Sequence, residues 1–392
     1  MPANKPPFDG ERVKLGEFIS KAPIERCGDG KYPVYSMTMR DGIVEQAGRF
    51  KKTIASKDTS SYKVVKKNQL VVGFPIDEGV IYVQHHDVPG IMSPAYNVWN
   101  INLGRVDPSY LEFALHSPRS MAYYADKMRG TTARRRTLTA DGLREMEILL
   151  PSVDEQVRVV NTLDEVRSLI KEANGQIAML DTLVKSRFVE MFGDPAENTM
   201  SWDSASLTSL GRCKNGMNFK SKESGIELPC LGVGDFKDRT FINGVSEMGR
   251  VNLDTMPSEG YFLKDGDIVF VRSNGNKRLV GRCLAVFPNG EKAVYSGFCI
   301  RLRIESDRVR IPYLVWALRH PSMRQQMFGR GANVQNLNQK LMSNVEVPIP
   351  PLPEQDCFLD FVAEVDKSRF VVQQKIEKLQ MLYDSLAQEY FG

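Results

Sequence analysis

Two stretches of the chain carry the same stripe of apolar residues, and each stripe has the period of a long helix. Val159, Leu163, Val166, Ile170, Ala173, Ile177, Leu180 and Val184 fall alternately four and three residues apart. That spacing is a heptad seam, which keeps one face of a helix apolar along its whole length. A shift of 199 residues gives Phe358, Val362, Val365, Arg369, Val372, Ile376, Leu379 and Tyr383, apolar at every place but Arg369. The pattern predicts two helices of about 38 residues, each about 57 Å long at 1.5 Å per residue. Pro151, Pro351 and Pro353 suit helix starts, and Gly193-Asp194-Pro195 ends the first helix. So regular a stripe in two places fits helices that pack against each other. The pairing contacts are then Leu163, Val166, Ile170, Ile177 and Leu180 with Val362, Val365, Val372, Ile376 and Leu379. The ordinary alternative is a helix packed on the core of its own domain.

The shift of 199 residues is a true internal repeat. Residues 151–193 align without a gap onto 350–392 with twelve identities, among them Glu155-Gln156 with Glu354-Gln355 and Phe192-Gly193 with Phe391-Gly392. Upstream, Tyr110-Leu111 and Ala114-Leu115, followed by Pro118, return as Tyr313-Leu314 and Ala317-Leu318, followed by Pro321. One long helix per repeat is not a solenoid. It describes two halves, with boundaries at 1–150 (globule), 151–199 (helix), 200–349 (globule) and 350–392 (helix). If the helices pair antiparallel, the halves are related by an approximate two-fold axis.

Outside the helices the period shortens to that of strands. Gln69-Leu70-Val71-Val72, Val80-Ile81-Tyr82-Val83 and Tyr96-Asn97-Val98-Trp99 predict strands in the first globule. In the second, the runs Asp267–Val271, Arg282–Val286 and Phe298–Leu302 do the same. A helix from about Pro108 to Met128, and its counterpart from Pro312 to Phe328, follows in each half. The fold class is α+β.

Net charge changes the picture only when divided along the repeat. Lys+Arg minus Asp+Glu is +5 for residues 1–150, −4 for 151–200, +7 for 201–350 and −4 for 351–392. The globules are basic and the helices acidic, which points to globules that face a polyanion. No window holds 18 uninterrupted apolar residues and the N-terminus lacks an apolar signal core, so a cytoplasmic location and no membrane partner are expected. The six cysteines form no CxxC pair, which suits buried free thiols better than metal ligands. No metal site is expected, and His85-His86 on a strand would point to opposite faces.

Catalytic motifs are missing. The chain has no GxxxxGK[ST] phosphate loop, no glycine-rich dinucleotide turn and no Asn/Asp-Pro-Pro-Tyr/Phe segment, so no catalytic residue and no cofactor on this chain is expected. The strongest candidate for DNA contact is Arg272-Ser273-Asn274-Gly275-Asn276-Lys277-Arg278, which follows a predicted strand. Arginine matches a guanine edge and asparagine an adenine edge, while lysine neutralises phosphate. Gln335, Asn336, Lys214, Asn215 and Lys220 are further candidates. In the first globule the basic candidates are Lys51, Lys52, Lys57 and Arg134, Arg135, Arg136. The alternative throughout is a solvated loop.

The doubled globule-plus-helix plan, the segments RGANVQNLNQKLMSNVEVPIPPLPEQ (330–355) and RSNGNKRLVGRC (272–283), and the Phe-Gly helix ends resemble the specificity subunit of type I restriction-modification enzymes. The first half departs from that pattern, with RGTTARRRTLTADGLREMEILLPSVDEQ carrying arginines where the second half has Val-Gln-Asn. The resemblance implies a non-catalytic subunit with two target recognition domains, each reading one half of a bipartite, asymmetric site in double-stranded DNA, and paired helices that set the spacer. It further implies two modification subunits that carry S-adenosylmethionine and methylate adenine, and restriction subunits that use ATP and Mg. A coiled-coil adaptor that binds proteins, and a self-sufficient DNA methyltransferase or nuclease, are the alternatives.

Overall fold

The computed structural model describes residues 9–39, 41–49, 58–129, 132, 136–219, 225–237, 239–276, 278–328 and 336–392. The chain divides into two compact units, Met1–Gly175 with Gln373–Gly392, and Gln176–Val372. Each unit thus takes a globule and part of both long helices.

Among the described residues of the first unit, four strands form an antiparallel sheet in the order Ile19–Lys21, Asn97–Ile101, Gln69–Val72, Ile81–Val83. The second unit repeats that order with Gly211–Asn215, Cys299–Ile304, Asp267–Val271 and Cys283–Phe287, and adds Phe241–Asn243 in parallel at the edge. The runs Gln69–Val72 and Asp267–Val271 are strands as their apolar pattern predicts, and Ile268, Val269, Phe270 and Val271 are all fully buried. A short strand pair closes each globule just before its long helix. Glu11–Lys14 pairs with Glu147–Leu150 in one, and Ser204–Ser206 with Glu346–Pro348 in the other.

Two sequence expectations are corrected. The predicted single helix 108–128 is two helices, Pro108–Leu115 and Pro118–Lys127, because Pro118 lacks the N–H that would continue the first. Ser117 begins the second helix instead, its Oγ accepting the Ser120 N–H at 3.3 Å. The same break separates Ile311–Arg319 from Pro321–Phe328. The predicted strand from Phe298 starts one residue later, at Cys299, and leaves Phe298 outside the sheet.

The long helices are Val153–Phe192 and Leu352–Phe391, 40 residues each, or about 60 Å at 1.5 Å per residue. Their seam residues are buried or half-buried: Val159, Leu163, Val166, Ala173 and Val184 are buried in the first helix, Phe358, Val362 and Val365 in the second. Ile170, Ile177, Leu180, Val372, Ile376 and Leu379 are half-buried. In the first unit, Val159 and Leu163 near the start of one helix share a core with Tyr383, Leu386 and Phe391 near the end of the other. In the second unit, Val184, Phe188 and Phe192 at the end of the first helix share a core with Phe358, Val362 and Val365 at the start of the second. Start packs with end in both units, which is antiparallel pairing. The polar seam position is satisfied as well: Arg369 donates to Asp181 on the other helix at 2.7 Å and also pairs with Asp366. The first helix ends on Gly193, whose φ of +72° and N–H bonded to the Val189 carbonyl at 2.8 Å make a left-handed cap that disfavours a side chain.

Candidate nucleic-acid interface

In the second unit the strand register gathers four loops at one edge of the sheet. Asn215 ends its strand opposite Ile300, and Val271 ends its strand opposite Cys299, so the segments after Asn215, after Val271 and before Cys299 emerge side by side. The fourth segment arrives from far along the chain. Asn336 forms an antiparallel bridge with Ser273, and the Leu337 N–H donates to the Arg272 carbonyl at 2.8 Å. Arg272, Asn274, Asn276, Arg278 and Asn336 are therefore on neighbouring loops, beside Lys214 and Asn215 at the end of their strand.

The loop after Val271 is stiffened by its own asparagines. Asn274 Oδ1 accepts the Asn276 N–H at 2.8 Å, and Asn276 Oδ1 accepts the Arg278 N–H at 3.1 Å. Such Asx turns commit one lone pair of each amide oxygen to the loop. Arg272 is half-buried: one guanidinium N–H donates to the Gly297 carbonyl at 3.3 Å, while its Nε is buried without a hydrogen-bond partner among the described residues. Arg278, Asn276 and Asn336 are exposed. Lys214 lies over the Tyr261 ring, with Nζ 3.9 Å from the centroid, a cation–π contact that fixes its charge at this edge. Lys220, Lys277 and Gln335 lie outside the described residues.

Of a basic row beside these loops, sequence reading named only Lys214. Arg212 and Lys214 alternate on their strand in register with Arg303 and Arg301, so the pairs stand on one face of the sheet. Asp267, 1% exposed, accepts Arg303 Nε at 2.7 Å and Nη2 at 2.6 Å, and Arg301 stands 4.0 Å away. The hydrogen bonds that Arg303 donates to Asp267 raise its pKa. Two guanidinium groups thus share one carboxylate, leaving the face with excess positive charge. Alternate basic residues on facing strands are a readable signal only once the register is known. Phe298, missed for a different reason, is discussed below.

In the first unit the equivalent edge is arranged differently. Residues 136–137 lie beside Pro75-Ile76, since the Ile76 N–H donates to the Arg136 carbonyl at 2.9 Å. Arg136, read from the sequence as a DNA contact, is held in ion pairs with Asp77 and Glu78, so its charge is balanced within the domain. Those hydrogen bonds raise its pKa, Glu78 contributing most. Lys51, Lys52, Lys57, Arg134 and Arg135 lie outside the described residues. His85 and His86 diverge: His85 Nε2 is 3.3 Å from Glu112 Oε2, whereas His86 Nε2 is 2.9 Å from the Ile43 carbonyl oxygen and its ring stacks on Tyr35. Among the described residues no group of three His, Cys, Asp or Glu is placed to hold a metal ion. Among them, too, no helix is long and apolar enough to cross a membrane.

Comparison with known proteins bears on this arrangement directly. Residues 201–381 match the family model described as the type I restriction modification DNA specificity domain. That segment belongs to this family. The chain is 25% identical over 229 residues to the type I restriction enzyme StySPI specificity subunit of Salmonella potsdam, covering 54% of this chain and 48% of that protein. It thus spans about half the length of that relative. With the type I restriction enzyme MjaVIII specificity subunit of Methanocaldococcus jannaschii it shares 23% identity over 390 residues, covering 92% of this chain and 87% of that one. A chain from a structure titled for complex assembly and conformational transition of the type I R-M system superposes with a TM-score of 0.63 at 18% identity, covering 98% of each chain. At that identity the superposition shows a shared fold. The DNA specificity domain holds the whole candidate loop edge of the second unit together with most of the second long helix.

Proposed function

We propose that the chain is the DNA-reading specificity subunit of a type I restriction-modification complex. The observation that carries this reading is the specificity-domain match over 201–381, which encloses the Arg272, Asn274 and Asn336 loop edge. Each unit reads one half of a bipartite, asymmetric site, and the paired helices set the number of unread base pairs. The repeated four-strand order supports two heads of one kind, and the basic globules support a phosphate-bearing partner.

Base reading falls to Arg272, Asn274, Asn276, Asn336 and Asn215, with Lys214, Lys277, Arg278, Lys220 and Gln335 on phosphate or base edges. In the first unit Lys51, Lys52, Lys57, Arg134 and Arg135 take the corresponding roles, while Arg136 shapes its loop. The subunit itself performs no chemistry and holds no cofactor. Two modification subunits bind the helical region and transfer methyl groups from S-adenosylmethionine to an adenine in each half-site. Restriction subunits driven by ATP and Mg join that core. The testing experiment is long-read methylation mapping of DNA from cells with and without the gene. A bipartite adenine-methylated motif that disappears with the gene is expected; an identical methylation pattern in both would refute the reading.

A further inference from the structure

Phe298 is 61% exposed, yet its backbone is among the most tightly tied at the loop edge. Its carbonyl accepts the Arg272 N–H at 2.7 Å and the Ser273 N–H at 3.2 Å. Its own N–H donates to Ser296 Oγ at 3.3 Å, and the following Cys299 N–H donates to the Ser296 carbonyl at 2.8 Å. On the other side, the Gly297 N–H donates to the Met217 carbonyl at 2.5 Å, and Met217 bridges Ser296. A Cβ on Gly297 would meet the Asn218 side-chain oxygen at 2.1 Å and the Met217 carbonyl at 3.1 Å, so the two loops run close together there. A large ring is thus projected into water from a turn clamped on both flanks.

Folding alone does not account for that ring. The same place in the first unit, just before the strand Asn97–Ile101, is held by Tyr96, which is half-buried and packs edge-on against Phe74 at 5.4 Å. There the aromatic is an internal packing group. Phe298 instead sits on a turn whose neighbouring segments carry the exposed Asn215, Asn218 and Asn336 and the half-buried Arg272. An apolar ring carried on a clamped backbone beside hydrogen-bonding side chains matches what a base edge in the major groove presents, where thymine alone adds a methyl group to a row of donors and acceptors. The clamp matters because backbone already ordered loses little further conformational freedom on contact.

We propose that Phe298 is a specificity-determining residue of the second unit that recognises the C5-methyl group of a thymine in its half-site. The inference rests on the reading of the chain as a DNA specificity subunit. The surrounding asparagines and Arg272 supply polar readout, and Phe298 supplies the apolar component they cannot.

Deoxyuridine pairs as thymine does but lacks the C5-methyl group, which makes the test direct. The assembled complex with its modification subunits is titrated with its own methylated motif in unmodified form, replacing each thymine of either strand by deoxyuridine in turn. Wild type should bind about fourfold more weakly at one or more positions in a single half-site, the fold-change that corresponds to one buried methyl group. Phe298→Ala should bind thymine and deoxyuridine equally at those positions while still assembling with its partners. Sequence-specific binding that is indifferent to every deoxyuridine overturns the role of Phe298 and leaves the DNA-reading function intact. The same holds if Phe298→Ala keeps the thymine preference, or loses assembly, which would make the ring a subunit contact. Absence of any sequence-specific binding by the complex would overturn both readings.

Discussion

Gln355 holds Arg310 in place through its side chain: Oε1 accepts the Arg310 backbone N–H at 2.7 Å, and Nε2 donates to the carbonyls of Arg308 at 3.0 Å and Pro350 at 2.7 Å. Gln156 does the same in the first half, accepting the Asp107 N–H at 2.8 Å and donating to Arg105 at 3.1 Å and Pro151 at 2.9 Å. Both side chains are fully buried. The repeated Glu-Gln pair therefore has a structural meaning: its glutamine ties the first turn of each long helix to the segment that starts the helix Pro108–Leu115 or Ile311–Arg319.

Gln355→Met should leave the Arg310 N–H and two carbonyls without partners inside the fold. At 1–3 kcal/mol for each unsatisfied buried group, offset by local relaxation, a loss of about 2–4 kcal/mol is expected. Thermal unfolding should show a midpoint lowered by roughly 5–10 °C, and Gln156→Met should match it. Midpoints equal to wild type in both variants would show that the shared glutamine is not a structural tie.

Phe358→Ala tests the helix pairing within the second unit. Phe358 is fully buried among Phe188 at 5.4 Å, Phe192 at 5.6 Å and Trp316 at 6.1 Å. Removing its ring leaves a cavity that costs about 3–5 kcal/mol. Denaturant unfolding followed by tryptophan fluorescence should lose that much stability, because Trp316 reports from the same cluster. A loss below about 1 kcal/mol would mean that the two helices are not held together there.

The two long helices were legible because an apolar period needs no partner to be recognised, and even the exception at Arg369 makes sense once Asp181 is seen beside it. Strands with unbroken apolar runs, such as Asp267–Val271, were legible for the same reason. Ile226–Leu231 was not, since Pro229 interrupts it and removes a ladder donor. The break at Ser117-Pro118 was signalled by a capping serine followed by proline, yet the long apolar pattern masked it. The candidate site was legible only in part. Arg272 and Asn336 each stood out, but their adjacency depends on a bridge between Ser273 and Asn336, which no local pattern encodes. Phe298 was read as part of a strand because an aromatic beside Cys299-Ile300 looks like core, and only the register places it outside.

Alkaline pH should weaken the fold. Burial pushes the Cys213 thiol up to about 11, Cys230 up to about 12 and the Tyr295 hydroxyl up to about 12. Each group keeps its proton longer in the folded chain than in the unfolded one. The stability they contribute is fully present below their ordinary values of 9.0 for a thiol and 10.0 for tyrosine, and is lost as pH rises toward 11–12. A falling unfolding midpoint between pH 9 and 11 is expected. Alkylation of the native chain at pH 8 should mark the exposed Cys357 well before Cys213 or Cys230. Equal labelling of all three would contradict the burial that raises these thiols.

Arg272 and Arg278 should fail in different ways when removed, because their surroundings differ. Arg272 is half-buried, bonded to Gly297 and fixed by the clamp around Phe298, so its guanidinium is positioned rather than merely charged. Arg278 is exposed later in the same loop, and in the proposed function its charge is what it offers. A positioned arginine that meets a guanine edge contributes about 1–3 kcal/mol of discrimination at one base pair, whereas a phosphate contact weakens all sequences alike and lowers the salt slope by about one. Arg272→Ala should therefore broaden the methylated motif at one position of one half-site, leaving the other half-site unchanged. Arg278→Ala should leave the motif intact and flatten the dependence of affinity on salt. The measurements are methylation mapping of cells that carry each variant and DNA binding by the assembled complex between 50 and 200 mM salt, a range over which phosphate contacts are resolved. If Arg272→Ala changed neither motif nor affinity, the loop after Val271 would not be a reading element, and the basic row of Arg212, Lys214, Arg301 and Arg303 would be the surface to test next.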